Sequence, residues 1–227
     1  ELLGGYEVYW ANNLARWYRI IPSIIRERFI RPLVNSMPDF GGKYSFQEKA
    51  GRFMYGSKQG PGHDHSSWRV FMPEHIKKKL YTPDFLNEIK DFDPIEFYAK
   101  PIHRAREHGF SVLDSCLYAD LTFYLPNDML VKVDRMSMAH GLEVRVPFLD
   151  PDLVDFCWRL PDKMKVRGSK LKFILREMIK DMYPKELQKQ PKSGFNLEYD
   201  IFPGTEVTFK NPFCIPREIH AEELFGQ

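Results

Sequence analysis

The sequence predicts a mainly α-helical protein. Three observations carry that prediction. Apolar residues recur at helical spacing along much of the chain, start signals such as Asp150-Pro151 precede those stripes, and no segment alternates apolar and polar residues as a half-buried strand does.

From Tyr6 to Val34 the chain is rich in aromatics. Leu14, Trp17, Tyr18 and Ile21 fall at helical spacing and Pro22 punctuates them, which predicts one or two helices. From Asn35 to Ser67 glycine, proline, serine and charge rise together, as in Gly41-Gly42 and Gly56-Ser57-Lys58-Gln59-Gly60-Pro61-Gly62. Residues 35–67 therefore read as a mobile surface segment, with a short helical pattern around Phe46 to Phe53. Pro73-Glu74 starts a short spacer helix that carries Ile76, Lys79 and Leu80.

Beyond Asp93-Pro94 the patterns strengthen. Leu113, Leu117, Leu121 and Tyr124 predict an amphipathic helix that stops at Leu125-Pro126, and a second helix runs from Asn127 to Met138 with Met129, Val133 and Met136 on one face. At Asp150-Pro151 the aspartate caps free amides and the proline presets the first helical residue, so a helix burying Leu153, Phe156, Cys157 and Leu160 follows. A last stripe of Leu171, Ile174, Leu175, Met178 and Met182 ends at Tyr183-Pro184.

Composition narrows the class of function. Hydrophobic residues at 43% with 28% charged describe a folded chain with a core, not a disordered tail. The 33 basic and 31 acidic side chains are well mixed and leave a net charge of +2, so no general field draws nucleic acid or a membrane surface. No apolar run approaches the ~20 residues that span a bilayer. Cys116, Cys157 and Cys214 are odd in number and far apart, which argues against a disulfide framework or zinc knuckle and fits the cytoplasm. The chain opens at Glu1 without methionine and reads as a piece of a longer polypeptide.

Two clusters of charge could carry chemistry. Between Tyr124 and Asp150, the side chains of Asp134, Arg135, Glu143, Arg145 and Asp150 stand among Val, Leu and Phe. Charges in apolar surroundings must be paired, so an internal network of ion pairs and hydrogen bonds is expected there. The second cluster, Lys163, Lys165, Arg167, Lys170, Lys172 and Arg176, reads as a solvated helix face. Lys192 is different, because Pro191 stiffens one side of its loop and Ser193-Gly194 frees the other. A cation fixed in this way can stabilise charge developing on a leaving pyrophosphate. His63-Asp64-His65 has no third ligand at metal spacing and reads as a solvated loop, and His140 as a capping or core histidine. No metal site is expected. The chain has no Walker loop, G-x-S-x-G or dinucleotide fingerprint, so any phosphate loop lies elsewhere.

The run Leu-Val-Lys-Val-Asp-Arg-Met-Ser-Met-Ala-His-Gly-Leu-Glu-Val-Arg-Val-Pro-Phe-Leu-Asp, ending at Asp150, closely resembles the synthetase domain of glutamine-dependent asparagine synthetases. The resemblance continues through Leu160-Pro161, Arg167-Gly168, Lys172, Leu175-Arg176, Pro184 and Pro191-Lys192-Ser193-Gly194-Phe195, and Glu1 to Tyr6 looks like the end of the family's G-x-G-x-D-E-[LV]-x-G-G-Y motif. It implies that residues 1–200 are the helical C-terminal half of an α/β, doubly wound, adenine-nucleotide-hydrolase-like domain. Residues 201–227 read as a tail of unassigned structure.

The resemblance also implies a reaction. ATP activates the aspartate side-chain carboxylate as an acyl-adenylate, and ammonia released from glutamine by an N-terminal glutaminase domain attacks it. Asparagine, AMP and pyrophosphate result. ATP and magnesium would be held mainly by residues upstream of this chain, where the family has a serine-glycine-glycine loop and an aspartate. Within the chain, Glu1 matches the family's active-site glutamate and Lys192 its phosphate-neutralising lysine, while Gly4, Gly5 and Lys172 match nucleotide-site positions. Asp134, Arg135, Ser137, Arg145 and Asp150 match supporting positions. A homodimer is compatible with the resemblance; nucleic-acid and membrane partners are not expected. After Phe195 the family's glycine-valine-proline stretch is replaced by Asn196-Leu197-Glu198, so other amide- or β-lactam-forming synthetases, or a non-catalytic helical module, stay open as alternatives.

Overall fold

The computed structural model describes residues 1–37, 46–70, 72, 74–182 and 184. The chain divides into two compact units, Glu1–Leu175 and Arg176–Gln227. The predicted class holds: the described residues form helices and no strand, apart from an isolated bridge between Arg167 and Lys170.

The first unit opens with a turn at Glu1 to Tyr6 and continues into α1 (Glu7–Ile20) and α2 (Ser23–Ile25). A π-helical stretch, Arg26–Ile30, joins α2 to α3 (Arg31–Asn35). Next come α4 (Phe46–Ser57), α5 (His63–Arg69), α6 (Glu74–Leu80), α7 (Pro83–Glu88) and α8 (Pro94–Glu107). The helix α9 (Val112–Ala119) runs through a second π-helix, Asp120–Leu130, into α10 (Val131–Met138). A 3-10 turn at Pro147–Leu149 precedes α11 (Pro151–Trp158), α12 (Asp162–Lys165) and α13 (Phe173–Ile179). In the second unit, Lys180 Nζ donates to Glu177 Oε2 at 3.0 Å and Met182 N to Ile179 O at 3.0 Å.

Local chemistry sets the helix starts. Asp93 caps α8, accepting from Ile95 N at 2.8 Å and Glu96 N at 3.3 Å, with Pro94 as first residue. Asp150 caps α11 in the same way, at 3.1 Å to Asp152 N and 3.2 Å to Leu153 N. Ser111 caps α9 through Asp114 N at 3.0 Å and donates to Asp162 at 2.8 Å, tying α9 to the start of α12.

The helices α1, α4, α5, α8 and α9 pack around one core. Its centre is Tyr9, Tyr98, Ile102, Leu113, Cys116 and Leu117, closed by Val166. Truncating a side chain as buried as Leu117 costs about 2–5 kcal/mol. A second cluster buries Leu2, Leu3 and Cys157, which anchors the opening turn against α11.

Four expectations are corrected. Residues 35–67 read as a mobile surface segment, yet Phe46–Ser57 and His63–Arg69 are helices, and Asp64, His65, Ser66 and Ser67 are buried. The glycines that suggested a loop supply its turn: Gly60 and Gly62 take positive φ, at 89° and 86°, between the two helices. The helix expected to stop at Leu125-Pro126 continues, because Pro126 falls inside the wider π turn and the ladder is patched by Asn127 Nδ2 donating to Phe123 O at 2.7 Å. The charges expected to form an internal network, Asp134, Arg135, Glu143, Arg145 and Asp150, are exposed. Their apolar neighbours Met136, Leu142, Val144 and Phe148 face solvent too, so no low-dielectric interior forces pairing. Phe156, expected in the core, is exposed, because α11 turns Cys157 inward instead.

Candidate active site

The turn Glu1 to Tyr6 closes on itself, Gly4 N donating to Glu1 O at 3.1 Å. Gly4 has φ +66°, and a Cβ there would lie 2.5 Å from Val166 Cγ2, so both backbone conformation and space require glycine. A Cβ on Gly5 would lie 2.5 Å from Lys172 Cε and 3.5 Å from its Nζ. Lys172 itself holds a left-handed φ of 52°, an uncommon state for a residue with a side chain, which commits its backbone to presenting the amine beside Gly5. The structure thus brings together four residues singled out in the sequence: Glu1, Gly4, Gly5 and Lys172.

Behind this turn lies Asp120, fully buried at the junction of α9 and the π-helix. Four donors converge on its carboxylate. Tyr9 donates to Oδ2 at 2.5 Å, Arg69 also reaches Oδ2 in a close ion pair, Tyr98 donates to Oδ1, and His65 Nε2 lies 3.0 Å from Oδ1. Burial opposes its ionisation, but His65, Arg69 and the Tyr9 hydroxyl outweigh it and hold the carboxyl well below the usual aspartate range. Burial and the adjoining carboxylate together push the Tyr9 and Tyr98 hydroxyls up, so both remain donors.

Burial likewise opposes charge on His65, yet Cys116 and Asp120 beside it push its pKa up from 6.5 to about 10. Its second nitrogen, Nδ1, lies 3.0 Å from Asn12 Nδ2, while Asn12 Oδ1 is buried with no partner among the described residues. Turning the Asn12 amide over places its oxygen against an imidazolium Nδ1–H, which matches the charged form.

Arg69 links this buried carboxylate to the turn. Its guanidinium sits 4.8 Å from the Tyr6 ring centroid and 4.5 Å from that of Tyr124, held by both rings and by Asp120. Glu1 stands beside the same rings: burial first, then the Glu1 carboxylate, pushes the Tyr6 hydroxyl well up. Glu1 Oε1 and Arg69 Nε are both buried without a hydrogen-bond partner among the described residues. An acceptor and a donor therefore stand uncommitted at the edge of the turn.

The remaining predicted residues sit elsewhere or outside the described set. Asp150 is an N-cap, Ser137 donates to the Asp134 carbonyl at 3.1 Å, and Arg145 pairs with exposed Glu143. Lys192 lies outside the described residues. The run His63-Asp64-His65 is not a solvated loop: His63 bonds Glu96 at 2.7 Å, Asp64 pairs with Arg19 at 2.6 Å and His65 bonds Asp120. Among the described residues no group of three or more His, Cys, Asp or Glu side chains could hold a metal ion. Lys165, read as one of a solvated set, is fully buried, with Nζ 2.6 Å from Asp114 Oδ1 and 3.2 Å from Trp158 O.

Sequence reasoning missed Asp120, His65, Arg69, Tyr9 and Tyr98. One signal was available: Asp120 lies three and four residues after Leu117 and Cys116, on the apolar face of its helix, where a carboxylate demands partners.

Known proteins resemble the chain along most of its length. The profile described as asparagine synthase matches residues 1–207. Glutamine-hydrolyzing asparagine synthetase 1 of Bacillus subtilis is 26% identical over 197 residues, covering 86% of this chain and 29% of that protein. A putative glutamine-hydrolyzing asparagine synthetase of Mycobacterium tuberculosis H37Rv is 28% identical over 202 residues, 86% of this chain and 28% of that protein. The human glutamine-hydrolyzing asparagine synthetase is 39% identical over 70 residues, 30% of this chain and 12% of that protein. The chain thus spans less than a third of the length of these relatives. No solved structure matches it.

Proposed function

Because the chain belongs to the asparagine synthase family, matched over residues 1–207, we propose that it is the helical part of an ATP-dependent asparagine synthetase. The parent enzyme would amidate the aspartate side-chain carboxylate in the cytoplasm, with ammonia taken from glutamine by a glutaminase domain that lies outside this chain. Among the described residues no helix is long and apolar enough to cross a membrane.

The observation that supports this reading most is the Gly5–Lys172 contact. The Lys172 side chain packs so closely on Gly5 that a single added carbon would sit 2.5 Å from its Cε and 3.5 Å from its Nζ. Such a place suits an anion that needs close backbone approach and a cation, as a nucleotide phosphate does. The residues present therefore fit part of an ATP site. Magnesium, as the family resemblance implies, would be held mainly by residues upstream of this chain. When bound, ATP supplies the activation that turns a carboxylate oxygen into a leaving group.

The chain's own residues supply position and charge. Lys172 and, in the complete enzyme, Lys192 neutralise phosphate. Glu1 offers its uncommitted Oε1 as an acceptor for the ammonium of an amino acid or for a proton from attacking ammonia. Asp134, Arg135, Ser137, Arg145 and Asp150 would act as supporting positions, through the segment that carries them.

Isotope transfer tests the reading in the full-length parent. Aspartate labelled with ¹⁸O in its side-chain carboxylate should pass one label to AMP for each asparagine formed. Label appearing in inorganic phosphate, or amidation of a different carboxylic acid with none of aspartate, would overturn it.

A further inference from the structure

We propose that His65 and Arg69, one turn apart on α5, are positioning residues that clamp Asp120 from both sides and fix it as a charged support beneath the Glu1–Tyr6 turn. The inference rests on the reading of that turn as the acting site.

The geometry carries it. A carboxylate with no exposed surface needs its oxygens filled, and here each oxygen takes one cation and one phenol: Arg69 and Tyr9 on Oδ2, His65 and Tyr98 on Oδ1. Four donors on two oxygens leave Asp120 no free lone pair with which to take a substrate proton. It can neither rotate nor act as a base, so its effect must pass through the groups that it holds. Of these, two reach the turn: Arg69 through the rings of Tyr6 and Tyr124, and Tyr9 through the Tyr6 ring, 6.3 Å away. Displacing Asp120 would release Arg69, then Tyr6, then the turn that carries Glu1 and Gly5. The stretch containing α5, whose composition resembles a surface loop, thus becomes part of the site's support.

His65 is enclosed on every side. From α1 it meets Asn12 and the Tyr9 ring, stacked at 5.8 Å; from α8, the Tyr98 ring at 6.2 Å; from α9, Cys116; and from the π-helix, Asp120. On its own helix Asp64 caps its amide at 2.7 Å and is itself neutralised by Arg19. Asp120 is the carboxylate that bonds its ring, which is why its charge and that of Asp120 stand or fall together.

Three variants of the full-length enzyme test the clamp: His65→Gln, Arg69→Gln and Arg69→Lys. Both glutamine variants should lower kcat by about tenfold or more while KM for aspartate changes less, the pattern of lost positioning. The acid limb of their stability should move up, because Asp120 loses a cation. Arg69→Lys keeps the charge, so its acid limb should stay in place while kcat recovers only in part. Histidine NMR of the 227-residue chain gives a readout independent of activity. The His65 imidazole should remain protonated from pH 6 to 9 and lose its proton at lower pH in Asp120→Asn. Unchanged kcat and acid limb in folded glutamine variants would overturn the proposal, as would a His65 that titrates normally in the wild type. If no variant or wild type forms asparagine, the assigned reaction fails, and the NMR titration alone then decides the clamp.

Discussion

Tyr9 donates its hydroxyl to Asp120 across 2.5 Å, although 111 positions separate the two residues. The bond joins the first helix to the junction of α9 and its π continuation, and so fastens the opening turn to the middle of the core. Tyr9→Phe keeps the ring but removes one of four donors to a buried carboxylate. The expected loss is about 1.5–3 kcal/mol, the size of a hydrogen bond to a charged group. A denaturant melt matching the wild type would show that three donors suffice.

The same carboxylate gives stability a pH dependence at both ends. Asp120 is held below its ordinary value of 3.8, so its contribution is present above that pH and is lost as pH falls. His65 is raised from 6.5 to about 10, so its contribution is complete below 6.5 and is lost as pH rises through about 10. Melts across this range should show a plateau near neutrality with loss on both sides. In His65→Gln the alkaline loss should shrink; an unchanged alkaline limb would assign it to another group.

Gly4 and Gly5 should respond differently to alanine. At Gly4 the new Cβ meets Val166 Cγ2 at 2.5 Å, and φ is +66°, so Gly4→Ala should destabilise by about 1–3 kcal/mol. At Gly5 the Cβ meets the middle of a lysine side chain, which can move. Gly5→Ala should therefore melt close to the wild type while displacing Lys172 and lowering the parent enzyme's activity. Equal melting losses in the two variants would mean that Lys172 is held as rigidly as Val166.

Two ion pairs set the value of burial against exposure. Lys165 has no exposed surface and pairs with Asp114 at 2.6 Å, so Asp114→Ala leaves a buried charge alone and should cost about 3–5 kcal/mol. Arg145 pairs with Glu143 while both side chains stay largely in solvent, at 84% and 70% exposure, so Arg145→Ala should leave the midpoint unchanged. Thermal melts of the two variants, run side by side, check the contrast.

What was legible in the sequence was local. Asp93-Pro94 and Asp150-Pro151 act within one helical turn, and their caps stand where the residues announce them. Glu1, Gly4, Gly5 and Lys172 were singled out by a family resemblance, and the structure sets Lys172 against Gly5. The Asp120 cluster was not legible, because it gathers residues 9, 65, 69, 98 and 120 from four elements, each unremarkable where it stands. Composition misled twice. Glycines around position 60 suggested a loop where they shape a tight turn between helices, and apolar residues around Arg145 suggested an interior where they face solvent.

The central claim is that this chain supports aspartate amidation, and product stoichiometry in the full-length parent tests it most directly. With ATP, magnesium, aspartate and ammonium, the account predicts asparagine, AMP and pyrophosphate in equal amounts, with turnover reduced by roughly 10²–10³ in Lys192→Ala, as when one preorganised charge is removed. Release of ADP in place of AMP, or full turnover in Lys192→Ala, would contradict it.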